Sequence, residues 1–309
     1  MSGVMKVLVL MSTYNGEKYI KEQVESILAQ EGVDVFLLVR DDGSKDKTCE
    51  ILDEYARTYE NIEVIKAENV GFVKSFSNLA EMAQDDRFMV DYYAFSDQDD
   101  VWMPYKLKTA CENLVKKDQD KPLLFSSNSL LVDSKLNKVG MFHENEPFRT
   151  KENVMLYSTE QGCTMVFNKR ALELYNLFPP SACWHDRYLC LICNFMGEMF
   201  YTHEPLVNYR LHENNVLGKS MTLLQRIEND LLLFLKENSN SNYNMVLEFY
   251  MCYKSYLSNS DKDILNLYIK SKCSLKRKLM LIFSNNYHIE QSFGSRFRKS
   301  ILILFNKMA

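Results

Sequence analysis

Short apolar runs alternate with longer stretches in which apolar residues recur every three or four positions, and this alternation organises the first 130 residues. Lys6–Ser12, Val33–Arg40, Asn61–Lys66 and Asp91–Ser96 read as strands, the third of them short and nearer an edge. The helical stretches between them each gather one apolar face. Glu17–Gln30 collects Tyr19, Ile20, Val24, Ile27 and Leu28, and the next helix carries Ile51, Leu52, Tyr55 and Tyr59. The third, opened by Asn69-Val-Gly71, carries Phe72, Phe76, Leu79, Ala80 and Ala83. Strand and helix in strict alternation predict βαβ units, and hence an α/β fold with a mostly parallel central sheet flanked by helices.

Beyond Lys121 the pattern is mixed. Pro122–Ser127 and Gly162–Asn168 read as strands, Arg187–Phe195 as a buried helix, and Glu198–Arg210 as two short strands around Pro205. After Gly218 nearly everything reads as helix: Leu223–Leu235, Met245–Leu257, Asp261–Lys270, Leu275–Phe283 and Phe293–Phe305. The expected division is an α/β domain over residues 1–218 and a helical C-terminal region over residues 219–309.

Charge adds an asymmetry. The net charge is −4, which does not suggest a nucleic-acid partner. From Lys270 onward, however, nine Lys or Arg face the single acid Glu290. Lys276-Arg277-Lys278 precede Leu279–Phe283, and Arg296, Arg298 and Lys299 precede Ile301–Phe305. Apolar segments flanked by cations suit the surface of an anionic membrane, and they equally suit helices packed on the main domain with solvated basic faces. No apolar run reaches the about 18–20 residues of a spanning helix, and Met5–Met11 is too short for a signal peptide. The eight scattered cysteines read as reduced thiols of a cytoplasmic protein. Cys190 and Cys193, with Cys183, His185 and His203 nearby, admit a zinc site, but their surroundings are apolar and lack a second matching pair.

The candidate chemistry sits at strand ends. Asp97-Gln98-Asp99-Asp100 follows the fourth strand, and three carboxylates so close together repel one another unless a cation such as Mg2+ or Mn2+ joins them. A solvated acidic turn is the other reading. Asp41-Asp42-Gly43-Ser44 ends the second strand, and one of its carboxylates could accept the N3–H of a pyrimidine. Met11–Glu17 joins the first strand to its helix, where backbone N–H groups can meet a nucleotide and Tyr14 can lie against a base. Neither a dinucleotide fingerprint nor a P-loop is present. Open α/β sheets bind ligands at the C-terminal ends of their strands, so these loops can face one cavity.

Taken in order, Thr13-Tyr14-Asn15, Asp41-Asp42-Gly43-Ser44, Asn69-x-Gly71 and Asp97-Gln98-Asp99-Asp100, followed by Trp102, Pro104, Lys106 and Leu107, resemble glycosyltransferase family 2, inverting enzymes of the GT-A fold. The resemblance runs from about Lys6 to Gly218. It implies a nucleoside site at Thr13, Tyr14 and Glu17, with Asp41 reading the pyrimidine and Asp97 on the donor. It implies a metal site at Asp97 and Asp99, with Asp100 as an alternative ligand. The family's acid pair has its counterpart at Trp184-His185-Asp186, where histidine replaces the more usual glutamate and Asp186 remains as general base. Arg210 and His212 match a later element, the first toward the diphosphate and the second toward the metal, while Gly162, Thr164, Trp184 and His185 fall on the acceptor side.

The implied activity is transfer of a sugar from a UDP- or dTDP-sugar to a glycan or polyprenyl-linked acceptor in surface polysaccharide assembly. Ser96–Trp102 and Tyr209–Asn215 look most like the rhamnosyltransferase-type branch, which points to dTDP-rhamnose as donor. A general base on the acceptor side and positive charge on the leaving-group side are what such a displacement needs. Two rivals remain at this level: a sugar-phosphate nucleotidyltransferase, whose basic glycine-rich loop Thr13–Glu17 lacks, and a binding member of the fold without turnover.

Overall fold

The computed structural model describes residues 3–147, 149–156, 160–178, 180, 184–212, 241–284, 300 and 303–304. Its first half follows the predicted alternation: β1 (Met5–Thr13), α1 (Ile20–Leu28), β2 (Val33–Asp41), α2 (Thr48–Thr58), β3 (Ile62–Lys66), α3 (Phe72–Met82) and β4 (Tyr92–Ser96). There follow β5 (Val101–Trp102), α4 (Lys106–Leu114), β6 (Leu123–Val132), β7 (Lys138–Met141), α5 (Lys151–Leu156), β8 (Val166–Asn168), α6 (Lys169–Leu177), α7 (His185–Met196) and β9 (Glu198–Arg210). The described C-terminal helices are α8 (Ser241–Tyr253), α9 (Asn259–Ser271) and α10 (Leu275–Ile282). The expected helices over Leu223–Leu235 and most of Phe293–Phe305 lie outside the described residues.

One sheet runs β3-β2-β1-β4-β8-β6-β9-β5, with β7 added on β6. The β3-β2-β1-β4 half is parallel throughout, whereas β8 runs antiparallel to both β4 and β6. β1 shows why its sequence is apolar at almost every position. Leu8 and Leu10 enter one core and Val7, Val9 and Met11 the other, so helices must cover both faces. α1, α2 and α4 close the second face, and α3, α6 and α7 close the first.

Two segments differ from the pattern-based expectation. Glu198–Arg210 is one strand, not two, because Pro205 lies opposite Asn128 where the β6/β9 register shifts. A bulge removes the ladder bond that proline cannot donate. Gly162–Thr164 forms a 3₁₀ turn, and only Val166–Asn168 of that segment joins the sheet. The turn is held by Thr164, whose N–H and hydroxyl both donate to the Gln161 carbonyl.

The described C-terminal helices pack on the α/β core. Phe249 and Tyr253 of α8 meet Tyr188, and the Tyr253 hydroxyl donates to the Leu174 carbonyl at 2.5 Å. Lys151 pairs with Asp261 of α9 at 2.5 Å. Cys190 and Cys193 lie buried in α7 with thiols pushed upward by burial, and His203 is exposed, so the fold uses these cysteines as core.

Candidate active site

The strands of the parallel half end at a cleft of about 440 Å³, lined from β1 and the loop after it by Ser12, Thr13 and Tyr14, from the loop after β4 by Asp97, Gln98 and Asp99, and from α7 by His185 and Asp186. Asp42, Asn69, Gly71, Phe72, Phe76, Gln161, Gly162, Trp184 and Tyr209 complete it.

Every oxygen of the acids ending β2 is engaged. Asp41 is buried and accepts from the Thr13 hydroxyl at 2.9 Å, the Ser44 hydroxyl, and the N–H groups of Gly43 and Ser44. Asp42 pairs with buried Arg40 and accepts from Val70 N–H and Gly71 N–H, each at 2.9 Å. Gly71 reaches that position with a φ of +82°, which glycine adopts freely.

The acids after β4 are held differently. Asp97 is half-buried and makes no side-chain hydrogen bond among the described residues, and its carboxyl is pushed up to about 7 by burial first and then by the charges of Asp99 and Asp186. Asp99 meets His212 Nε2 at 2.7 Å. Asp100 is fully buried: its Oδ1 accepts from Arg210 N–H at 3.2 Å, while its Oδ2 has no hydrogen-bond partner among the described residues. Burial, with Asp99 and Asp97 beside it, drives the Asp100 carboxyl well above the usual range. Cys163 comes close enough that its Sγ and one oxygen each of Asp97 and Asp100 lie within 4.8 Å of one another. The unbonded Asp97 carboxylate, the free Oδ2 of Asp100 and the Asp99 carboxylate paired with imidazole form a hard, mainly oxygen donor set, and this fits Mg2+ or Mn2+.

The α7 wall depends on a missing side chain. A Cβ on Gly162 would stand 2.9 Å from His185 Nε2 and 3.3 Å from Asp186 Cβ, so glycine lets the first turn of α7 come in. His185 stacks on Phe76 at 3.8 Å between ring centres, and burial pulls its pKa down to about 4. The imidazole beside Asp186 is therefore neutral at physiological pH.

A family model described as glycosyl transferase family 2 matches residues 8–168. The dTDP-rhamnosyl transferase RfbG of Shigella flexneri is 30% identical over 223 residues, spanning 69% of this chain and 75% of that protein. The chain belongs to glycosyltransferase family 2. Solved structures carry the same GT-A architecture. S. aureus TarS 1-349 in complex with UDP-GlcNAc superposes with a TM-score of 0.57 at 19% identity, covering 97% of this chain and 82% of that one. A mannosyltransferase of Pyrobaculum calidifontis in complex with GDP-Man and Mn2+ gives 0.50 at 13%, covering 97% and 87%.

Several residues that the sequence assigns to this glycosyltransferase's site lie outside the cleft lining. Glu17 is exposed and accepts from Lys47 N–H at 3.0 Å, joining the β1 loop to α2. Arg210 is buried, donating to the carbonyls of Asp99 at 2.8 Å and Ser134 at 2.9 Å, pairing with Glu22 and lying over the Tyr19 ring. It braces the acidic loop from beneath. His212 reaches the site through Asp99, and Thr164 is buried behind Gly162.

Two residues gain a role that spacing alone did not reveal. Gln98 accepts from Tyr14 N–H at 2.8 Å and donates to the Tyr14 carbonyl at 3.0 Å, clipping the β1 loop to the acidic loop. Its Oε1 occupies a spot 2.3 Å from where a Gly16 Cβ would be. Lys106 lies fully buried under the acids, donating to the Cys163 carbonyl at 2.8 Å, and burial lowers its pKa well below the ordinary lysine value. The only sequence signal for either was its place inside the motifs.

Proposed function

We propose that this enzyme transfers a sugar, with inversion, from a UDP- or dTDP-sugar to a hydroxyl of a glycan acceptor in surface polysaccharide assembly, with dTDP-rhamnose the first donor to test. The observation that carries the reading is that Asp186, far along the chain from the Asp97–Asp99 motif, shares one cleft with it. The relation to a dTDP-rhamnosyl transferase and the fold shared with a protein complexed with UDP-GlcNAc support the donor class.

In this reading Tyr14 lies against the base and Thr13 faces the nucleoside, while Asp41 acts through the Thr13 and Ser44 hydroxyls that it orients. Asp186 takes the proton of the acceptor hydroxyl as that oxygen attacks the anomeric carbon and the bond to the diphosphate breaks. Its negative charge also suits an oxocarbenium-like transition state. Neutral His185 and Trp184 shape the acceptor side. A Mn2+ or Mg2+ ion held by Asp97 and Asp99, with His212 orienting Asp99, would offset the charge growing on the departing diphosphate.

Placement at the inner membrane face is part of the proposal. Leu275, Leu279, Met280 and Phe283 of α10 and its C-cap are exposed beside exposed Lys276 and Arg277, a combination suited to anionic lipid headgroups. Among the described residues no helix is long and apolar enough to cross a membrane.

The test is release of nucleoside diphosphate from a panel of UDP- and dTDP-sugars with and without Mn2+. Metal-dependent release, lost in Asp186→Asn while donor binding persists, is the expected result. Release of pyrophosphate from a nucleoside triphosphate mixed with a sugar 1-phosphate would instead identify a nucleotidyltransferase, and binding without turnover across the panel a non-catalytic member.

A further inference from the structure

A second cavity, about 750 Å³, runs along the solvent side of α3 toward α6 and shares Gly71 and Phe72 with the cleft. Its size falls in the range of about 300–1,000 Å³ typical of ligand sites. Where the two cavities meet, Phe72 is 42% exposed and stands edge-on to Trp184 at 5.5 Å. The junction therefore presents aromatic surface, while the groove beyond it mixes apolar lining from Val70, Val73 and Pro180 with a row of polar side chains. Lys74, Asn78 and Glu81 fall at i, i+4 and i+7 on one face of α3, with Gln84 just past its end, and all four line the groove. None of these four side chains makes a hydrogen bond among the described residues. Asn176 donates to the Ala80 carbonyl at 2.6 Å, fixing the α6 side of the groove to α3.

Aromatic faces at the entrance and a ladder of uncommitted amide, ammonium and carboxylate groups match one ligand chemistry. Sugar rings offer C–H faces to aromatics and hydroxyls to such groups, whereas a prenyl chain needs continuous apolar walls. We infer that the α3/α6 groove is a subsite for an extended glycan acceptor, holding the sugars that precede the residue whose hydroxyl reaches Asp186. This rests on the transferase reading of the cleft and adds to it the acceptor class: an oligosaccharide several units long.

The experiment uses the full chain with UDP and Mn2+ on a printed array of bacterial surface oligosaccharides, each present as mono-, di- and tetrasaccharide. Retention should rise with length. Asn78→Trp, which plugs the groove, and the double variant Lys74→Ala/Glu81→Ala should each lower tetrasaccharide retention by about tenfold, the equivalent of one or two hydrogen bonds, and leave monosaccharide retention unchanged. Metal-dependent donor hydrolysis should stay within about twofold of the parent, since these residues lie outside the cleft lining. Unfolding temperatures identify a misfolded Asn78→Trp, in which case the double variant decides. Retention independent of length, or length dependence untouched by a folded variant, overturns the inference. So does release of the variants from vesicles containing polyprenyl phosphate with glycan binding intact, which would make the groove a lipid site. Absence of donor hydrolysis in the parent, with length-dependent retention preserved, would defeat the transfer reading while supporting the groove.

Discussion

Two acidic strand ends flank β1, and they differ in what satisfies their charge. At the end of β2, Asp41 and Asp42 have every oxygen bonded to hydroxyls, backbone N–H groups or Arg40. After β4, Asp97 has no side-chain hydrogen bond among the described residues and Asp100 keeps an orphaned Oδ2, with Asp97 and Asp99 facing the cleft. Carboxylates look alike in a sequence, but one pair here holds the fold together and the other cluster stores repulsion that a cation would relieve.

The comparison breaks most visibly through turnover. Asp97→Asn and Asp186→Asn should each cut kcat by about 10²–10⁴, the range for losing a positioned catalytic group, read as nucleoside diphosphate release. Asp186→Asn should keep the Mn2+-induced rise in unfolding temperature, and Asp97→Asn should lose it.

Stability sharpens the contrast by changing sign. Asp42→Asn leaves Arg40 buried without its counter-charge and should cost about 3–5 kcal/mol in chemical denaturation. Asp97→Asn should raise the stability of the metal-free protein, because it removes a repelling charge. Equal losses in both variants would erase the distinction.

A pH series provides the next effect. The Asp97 pKa lies above its unfolded value, so the metal-free fold gains protons and stability below about 7 and loses that contribution as pH rises through it. Proton and cation compete for the same carboxylate. The thermal shift produced by Mn2+ should accordingly shrink as pH falls from 8 to 6, and the trend should be weaker in Asp97→Asn.

The smallest effect concerns the link between the β1 loop and the acidic loop. Gln98→Leu removes two hydrogen bonds to the Tyr14 backbone and should raise donor KM by up to about tenfold with little change in unfolding temperature. A Gly16→Ala variant, whose Cβ would crowd Gln98, should shift KM the same way.

The parallel half was legible because both faces of β1, β2 and β4 are buried, so their apolar runs stand out from the amphipathic helices between them. The second half was less so. A proline inside β9 reads as a break unless its bulged partner Asn128 is known, and Gly162–Thr164 has strand composition but turns so that His185 and Asp186 can approach. The motif residues that line the cleft were found from order and spacing. Arg210 shows where that reasoning stops, since an arginine near a phosphate site and an arginine bracing a loop have the same letter.

By itself, the sequence determined the alternating elements, the placing of acids at the C-terminal ends of β2 and β4, and the family, because periodicity and motif order are local properties of the chain. Tertiary structure alone decided which acids remain unsatisfied. Beside local donors, the satisfied acids take some from remote segments: the Thr13 hydroxyl reaches Asp41 and Val70 N–H reaches Asp42, each across 28 residues. Hydrogen-bond satisfaction is a property of the folded neighbourhood, and it separates the acids bonded throughout from those with an oxygen left open.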